Sequence, residues 1–138
     1  RNNGEKSLEE FDNSCKKKGA RIASILNEDE NQKALAACSG KEVCYIGLGF
    51  NKTALGGEWR WLDGQPYDSM GCCMPPQLSY HDFADHQPNS GAKEPCALIW
   101  VDSKWHDMPC PDGPSMYGYH AVALCKVGSG VDPQPMFG

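Results

Sequence analysis

Eight cysteines, at positions 15, 38, 44, 72, 73, 96, 110 and 125, constrain this 138-residue chain more than any other feature. So dense a set in a chain of single-domain size points to an oxidising compartment, where up to four disulfides supplement a modest core. A metal–thiolate protein is the alternative, but no spacing forms the CxxC pair that zinc sites use. The chain therefore reads as secreted. Asn51-Lys52-Thr53 is an N-glycosylation sequon, which agrees with that compartment. Acidic residues outnumber basic ones by 18 to 13, for a net charge of -5, which argues against nucleic acid as a partner. No apolar stretch approaches membrane-spanning length, so direct membrane insertion is not expected. The chain begins at Arg1 with neither initiator Met nor signal peptide, and so reads as a processed or trimmed product.

Ser7-Leu8-Glu9-Glu10 has the form of a capping box, with Leu8, Phe11 and Cys15 following on one helical face. Lys16–Lys18 complement the helix dipole and Gly19 ends the helix. Cys15, on the buried stripe, needs a partner from the core. Ala20–Leu26 reads as a short buried strand or extended segment. A second helix follows, capped by Asn27 with Glu30 three residues on, and Ala34, Leu35 and Ala37 supply its inner face. Cys44–Phe50 is strand-like, with Gly47 and Gly49 allowing another backbone to come close. Gly57–Gly64 alternates and stops at an Asp-Gly turn, which places Trp59 and Trp61 on one face, in the core.

Pro66–Gly91 differs in kind. It holds four prolines and shows no helical or alternating period, so it reads as one long irregular loop, and loops of that length inside a compact domain are usually functional. Within it, His81–Glu94 carries three carboxylates and two histidines with almost nothing apolar to bury. That is the composition of a solvated loop or of a ligand set for a cation. Beyond it, Ala97–Val101 and Trp105–Met108 read as a hairpin turning at Asp102-Ser103-Lys104, which brings Cys96 and Cys110 to matching ends where they can bridge. Tyr119–Val127 is apolar on both faces and is expected to be a central strand, with Cys125 a suitable partner for Cys15. Residues 128–138 have linker composition and read as a flexible tail outside a domain spanning 1–127.

Taken in order, these pieces resemble the C-type lectin-like domain over about Ser7 to Val127. "SLEEFDNSCKKKGARIASI" is similar to its first helix and strand, "YIGL" at Tyr45–Leu48 to its Trp-Ile-Gly-Leu motif, and "WRWLDG" to the lead into its long loop. "QPN" at Gln87–Asn89 sits where that loop carries a calcium tripeptide, and "WHD" at Trp105–Asp107 where the family has Trp-Asn-Asp. The resemblance implies an α+β fold of two helices, small antiparallel sheets and a long ligand-binding loop, stapled by Cys15–Cys125 and Cys96–Cys110. It also implies a non-enzymatic module that holds Ca2+ through Gln87, Asn89, Glu94 and Asp107, with Pro88 in the cis form. Those same groups would hydrogen-bond two neighbouring hydroxyls of a glycan or glycoprotein that complete the metal's coordination. Oxygen ligands of this kind suit a hard cation wanting about six to eight of them.

Two departures bear on the site. Sugar-binding members usually show Glu-Pro-Asn or Gln-Pro-Asp, whereas Gln87-Pro88-Asn89 takes half of each and contains no carboxylate. Glu94 and Asp107 are then the only formal charges, so an affinity of about 10⁻⁴–10⁻³ M is expected. His106 replaces an Asn, and imidazole nitrogen suits zinc, copper or nickel better than calcium. A transition-metal site from His106, Asp107, Glu94 and His86 is therefore the alternative cofactor reading, with His81, Asp82 and Asp85 nearby in the loop. The insertion Asp68–Phe83 lengthens the loop. In it Cys72 and Cys73 either close on each other or reach a second chain, and Tyr80 and His81 are candidates to stack on a sugar ring. Cys38 and Cys44 are expected to bridge the second helix to the next strand. Only Arg1–Lys6 precede Ser7, where the family has a strand pairing with the last one, so that edge is expected to be short, missing or covered by another chain. Two rival functions share the fold, a protein-binding module with a vestigial site and an ice- or mineral-binding surface. The serines and histidines form no motif for an activated nucleophile.

Overall fold

A computed structural model describes residues 4–41, 43–52, 57–110 and 113–127, so Thr53 of the sequon and the 128–138 tail lie outside the described residues. Helix α1 (Gly4–Lys16) starts ahead of Ser7, which lies inside the helix and not at its cap. Glu5 and Lys6 are good helix formers and extend it toward the N-terminus. Leu8 and Cys15 are buried on its inner stripe, and the half-buried Phe11 ring stacks on Tyr45 at 5.3 Å between centroids. Asp12 shares that stripe and is buried too. Its carboxylate accepts from Arg21 Nε at 3.0 Å and from the Ile22 amide at 2.9 Å. Burial alone would raise the Asp12 pKa, but the Arg21 and Ile22 bonds outweigh it and hold the group below its ordinary value. Gly19, at φ 78°, lets the chain turn off the helix.

Strand β1 (Arg21–Ile22) pairs with β7 (Cys125–Lys126), and the Cys15–Cys125 disulfide ties α1 to that pair across 110 residues. A cross-link closing a loop of roughly this size removes about 4.7 kcal/mol of unfolded-chain entropy in the loop-closure account. Helix α2 (Glu28–Cys38) opens as expected, with the Asn27 side chain accepting from the Glu30 amide at 2.8 Å. Ala34 is buried and Leu35 and Ala37 pack partly against the core, but Glu30 and Asn31 also point inward. Cys38–Cys44 fastens the helix to the strand that follows it.

The main sheet is built on β2 (Val43–Asn51), buried along nearly its whole length. It pairs antiparallel with β3 (Glu58–Trp61) and β4 (Cys96–Ile99), β4 pairs with β5 (Trp105–Met108), and β6 (Ala121–Ala123) runs parallel to β2. A Cβ on Gly47 would stand 2.9 Å from the Ala23 carbonyl oxygen, which accepts the Gly47 amide at 2.7 Å, so only glycine permits the approach. Trp59 and Trp61 fill the core from one face of β3, and Trp61 meets Trp105 edge-on at 5.9 Å. In the β4–β5 hairpin, Ile99 faces Trp105 and Cys96 faces Met108, and the strand ends at Ile99 because Trp100 already belongs to the turn centred on Ser103. Cys96–Cys110 closes the open end.

The expected single central strand Tyr119–Val127 is instead two short strands in two sheets. Leu124 is the pivot: its amide donates to Tyr45 O at 3.0 Å and its carbonyl accepts from Ala23 N at 2.9 Å, one bond toward each sheet. β6 is half-buried along its length, an edge and not a centre.

Candidate functional site

Between β3 and β4 the chain forms no strand or helix apart from the 3₁₀ turn Gly91–Lys93 and an isolated bridge from Phe83 to Trp105. Polar clamps hold it in shape. Asp68 accepts from the amides of Gln77, Leu78 and Ser79; bonding to the Ser79 side chain and then to the Leu78 and Ser79 amides holds its pKa at about 2. Cys72 and Cys73 are bonded to each other and not to a second chain. The Cys72 carbonyl accepts from Trp59 Nε1 at 3.0 Å, which pins the insertion to the core. Asp82 is committed to structure: its carboxylate accepts from Asn31 Nδ2 at 2.9 Å and from Lys104 Nζ at 3.1 Å. Phe83 is buried against Trp59 and Trp105.

After these anchors the chain turns at His86 (φ 66°) into a cis Gln87–Pro88 bond, as expected from the resemblance. Asp107 on β5 is 2% exposed and organises the loop beyond that bond. Its Oδ2 accepts from the amides of Asn89 at 3.0 Å and Ser90 at 2.9 Å, while its own amide donates weakly to Gln87 Oε1 at 3.4 Å. Its Oδ1 is buried without a hydrogen-bond partner. Glu94 ends the 3₁₀ turn with its carboxyl beside Asp107. Burial first, and then the Asp107 charge, raise the Glu94 pKa, and burial raises that of Asp107. Gln87, Asn89, Glu94, His106 and Asp107 line one open cavity of about 380 Å³.

These features fit an oxygen-ligated cation. A buried carboxylate oxygen lacks a donor, a second carboxylate is crowded against it, and the remaining side chains offer amide oxygens. Gln87, Asn89, Glu94 and Asp107 would hold the ion, the two carboxylates balancing a divalent charge. Asn89 Oδ1 accepts from Ser90 Oγ at 3.0 Å and would exchange that bond for the metal.

The nitrogen-ligated alternative is not assembled. Among the described residues no group of three or more His, Cys, Asp and Glu converges on a common point. His106 lies on the cavity wall, but its Nε2 is 2.8 Å from Asp102 Oδ2. His81 Nδ1 accepts from the Phe83 amide at 3.1 Å, and His86 and Asp85 are exposed. Tyr80 is not in this cavity either. Its hydroxyl donates to Glu28 Oε1 at 2.6 Å, and the residue lines a separate hollow of about 260 Å³ with Leu26, Trp61 and Leu78. Asn51, the sequon asparagine, is half-buried in β2 opposite Glu58.

Sequence reasoning missed Trp100, Met108 and Tyr117, which complete the cavity wall. Tyr117 closes the 3₁₀ helix Gly113–Tyr117, a segment without strand or helix period, and the only signal it carried was two tyrosines close together.

Gly91, at φ 54°, joins the insertion to the ligand loop, since a Cβ there would lie 2.7 Å from Cys72 Cβ. Gly91→Ala is expected to destabilise the domain by about 1–3 kcal/mol, measured by thermal unfolding. An unchanged melt would mean that the insertion and the loop are not packed this way.

Residues 4–115 match the family described as the lectin C-type domain. A mannose-binding protein of Gallus gallus is 30% identical over 96 residues, covering 70% of this chain and 33% of that protein, so this chain spans about a third of its relative's length. Among solved structures, the carbohydrate-recognition domain of the mouse scavenger receptor C-type lectin superposes with a TM-score of 0.57 at 27% identity, covering 75% of this chain and 71% of that one. A calcium-independent type II antifreeze protein superposes with a TM-score of 0.55 at 25% identity, covering 75% and 70% of the two chains.

Proposed function

The chain belongs to the C-type lectin domain family, and we propose that it is a secreted lectin binding carbohydrate through a weak calcium site at Gln87, Asn89, Glu94 and Asp107. One observation carries this reading. Asp107 spends one carboxylate oxygen on ordering the loop and keeps the other buried and unpartnered, beside the cavity that Glu94 also lines. Calcium, when bound, supplies open coordination positions that two neighbouring hydroxyls can fill. The chain's own part is to orient those hydroxyls. Glu94 accepts from them, and the Gln87 and Asn89 amides can each donate or accept. Because the tripeptide lacks a carboxylate, charge does not set the orientation of the diol, so weak discrimination between mannose-like and galactose-like sugars is expected. An all-oxygen donor set with His106 engaged by Asp102 favours calcium over a transition metal. Four disulfides support an extracellular location.

Retention on mannose- and galactose-agarose in millimolar calcium, with release by chelator, is the expected result. A blank glycan array under the same conditions, with a protein co-purifying, would instead establish the protein-binding module. Similarity to the antifreeze protein favours ice binding as a second reading. Thermal hysteresis in chelator, together with no sugar retention, would establish that one.

A further inference from the structure

The cavity has an aromatic lining that its carboxylates do not explain. Tyr117 is 60% exposed, yet its ring is held, meeting Trp100 edge-to-face at 5.5 Å and 81°. Trp100 is itself held by Tyr119 at 5.1 Å and by His106 at 6.1 Å, and His106 is braced by Asp102. An isolated exposed aromatic needs no explanation. Here, however, Trp100, Met108 and Tyr117 line the same cavity as Asn89, Glu94 and Asp107. The cavity thus combines charge and amides with a rigid aromatic surface that loses little side-chain entropy on contact.

A pyranose has the matching duality, with hydroxyls around its edge and C–H groups on its faces. We propose that Tyr117 is a specificity residue that stacks on the C–H face of a second sugar ring while the first is held at Asp107, so that the site reads an oligosaccharide. This rests on the carbohydrate reading above and adds to it the length of glycan recognised. Continuity of the cavity supports it: Tyr117 and Asp107 line the same hollow, and about 380 Å³ of open space joins them. On this proposal Tyr117 contacts a ring linked to the one at Asp107 and not that ring itself, because the polar side chains hold the first ring by its hydroxyls.

The test is calorimetry in millimolar calcium on the wild type, Tyr117→Ala and Tyr117→Phe. The probes are methyl mannoside against mannobiose, and methyl galactoside against lactose. Wild type is expected to bind at least one disaccharide more tightly than its monosaccharide. Tyr117→Ala should lose about three- to tenfold in affinity for that disaccharide and nothing for the monosaccharide, while Tyr117→Phe should keep both. Equal losses on both probes would make Tyr117 a support for the primary site and overturn the proposal. So would no loss, or a wild type that binds the two probes equally. A wild type that binds no sugar at all overturns the carbohydrate reading itself, and that outcome is visible before any variant is made. Melting temperatures matched to wild type confirm that the variants fold.

Discussion

Asp107→Ala is expected to abolish calcium-dependent carbohydrate retention, lowering calcium affinity by more than about a hundredfold. Outer-shell partners of a metal ligand are typically worth about 10–100-fold, and on the proposed reading this residue is a ligand itself. From a starting affinity of about 10⁻⁴–10⁻³ M, a loss of that size puts binding beyond millimolar ion. The alanine variant also removes a structural contact. Asp107 Oδ2 holds the Asn89 and Ser90 amides, so alanine leaves two loop donors without their acceptor, at about 1–3 kcal/mol for each that stays buried. Asp107→Asn separates the two roles. It keeps an oxygen for the amides and removes the charge, so the melt in chelator should stay near wild type while the calcium heat disappears. Calorimetry with excess calcium decides the matter: an unchanged heat in Asp107→Asn removes Asp107 from the ligand set.

The parts of this architecture that could be read in advance are those where the signal is local. The Asn27 cap, the pairing of Trp59 with Trp61 on one face and the hairpin turn at Ser103 each depend on a few adjacent residues, whereas the cis bond at Pro88 was expected from the family resemblance alone. The expected elements bring Cys15 toward Cys125 and Cys96 toward Cys110, the two bridges that the resemblance implies, while the partners of Cys72 and Cys73 stayed open in the sequence. What escaped was polar and long-range. Asp12, Glu30, Asn31 and Lys126 are all buried, although pattern reading sends such residues to the surface. Each is inside because a partner distant in sequence satisfies it: Arg21 for Asp12, Trp105 Nε1 for Asn31 at 3.2 Å. The break in the last strand escaped for a related reason. Nothing in Tyr119–Val127 marks Leu124 as the point where one sheet gives way to the next, since its two bonds go to Tyr45 and Ala23. At the site, motif positions located the carboxylates, but Tyr117 belongs to no motif and Tyr80 follows Glu28 instead of the cavity.

The buried lysine leads to the largest expected stability effect. Lys126 is fully buried, with Nζ donating to Ser24 O and Ser24 Oγ at 3.0 Å each and to Glu30 Oε1 at 3.2 Å. Glu30 Oε1 also accepts from the Leu26 amide at 2.8 Å, so one carboxylate joins the start of α2 to β7. Lys126→Met keeps the length of the side chain and removes the charge, stranding a buried carboxylate with one amide for company. Breaking a buried pair from one side typically costs about 3–5 kcal/mol, against a total stability of about 5–15 kcal/mol for a domain. Denaturant unfolding with the disulfides intact should therefore show a much lower midpoint at unchanged slope. Adding Glu30→Gln should recover part of the loss, because a neutral amide can still accept from Leu26 without burying a charge. If Lys126→Met costs less than about 1 kcal/mol, the carboxylate must find other hydrogen-bond donors once the lysine is gone. The ion pair would then not be what joins the second helix to β7.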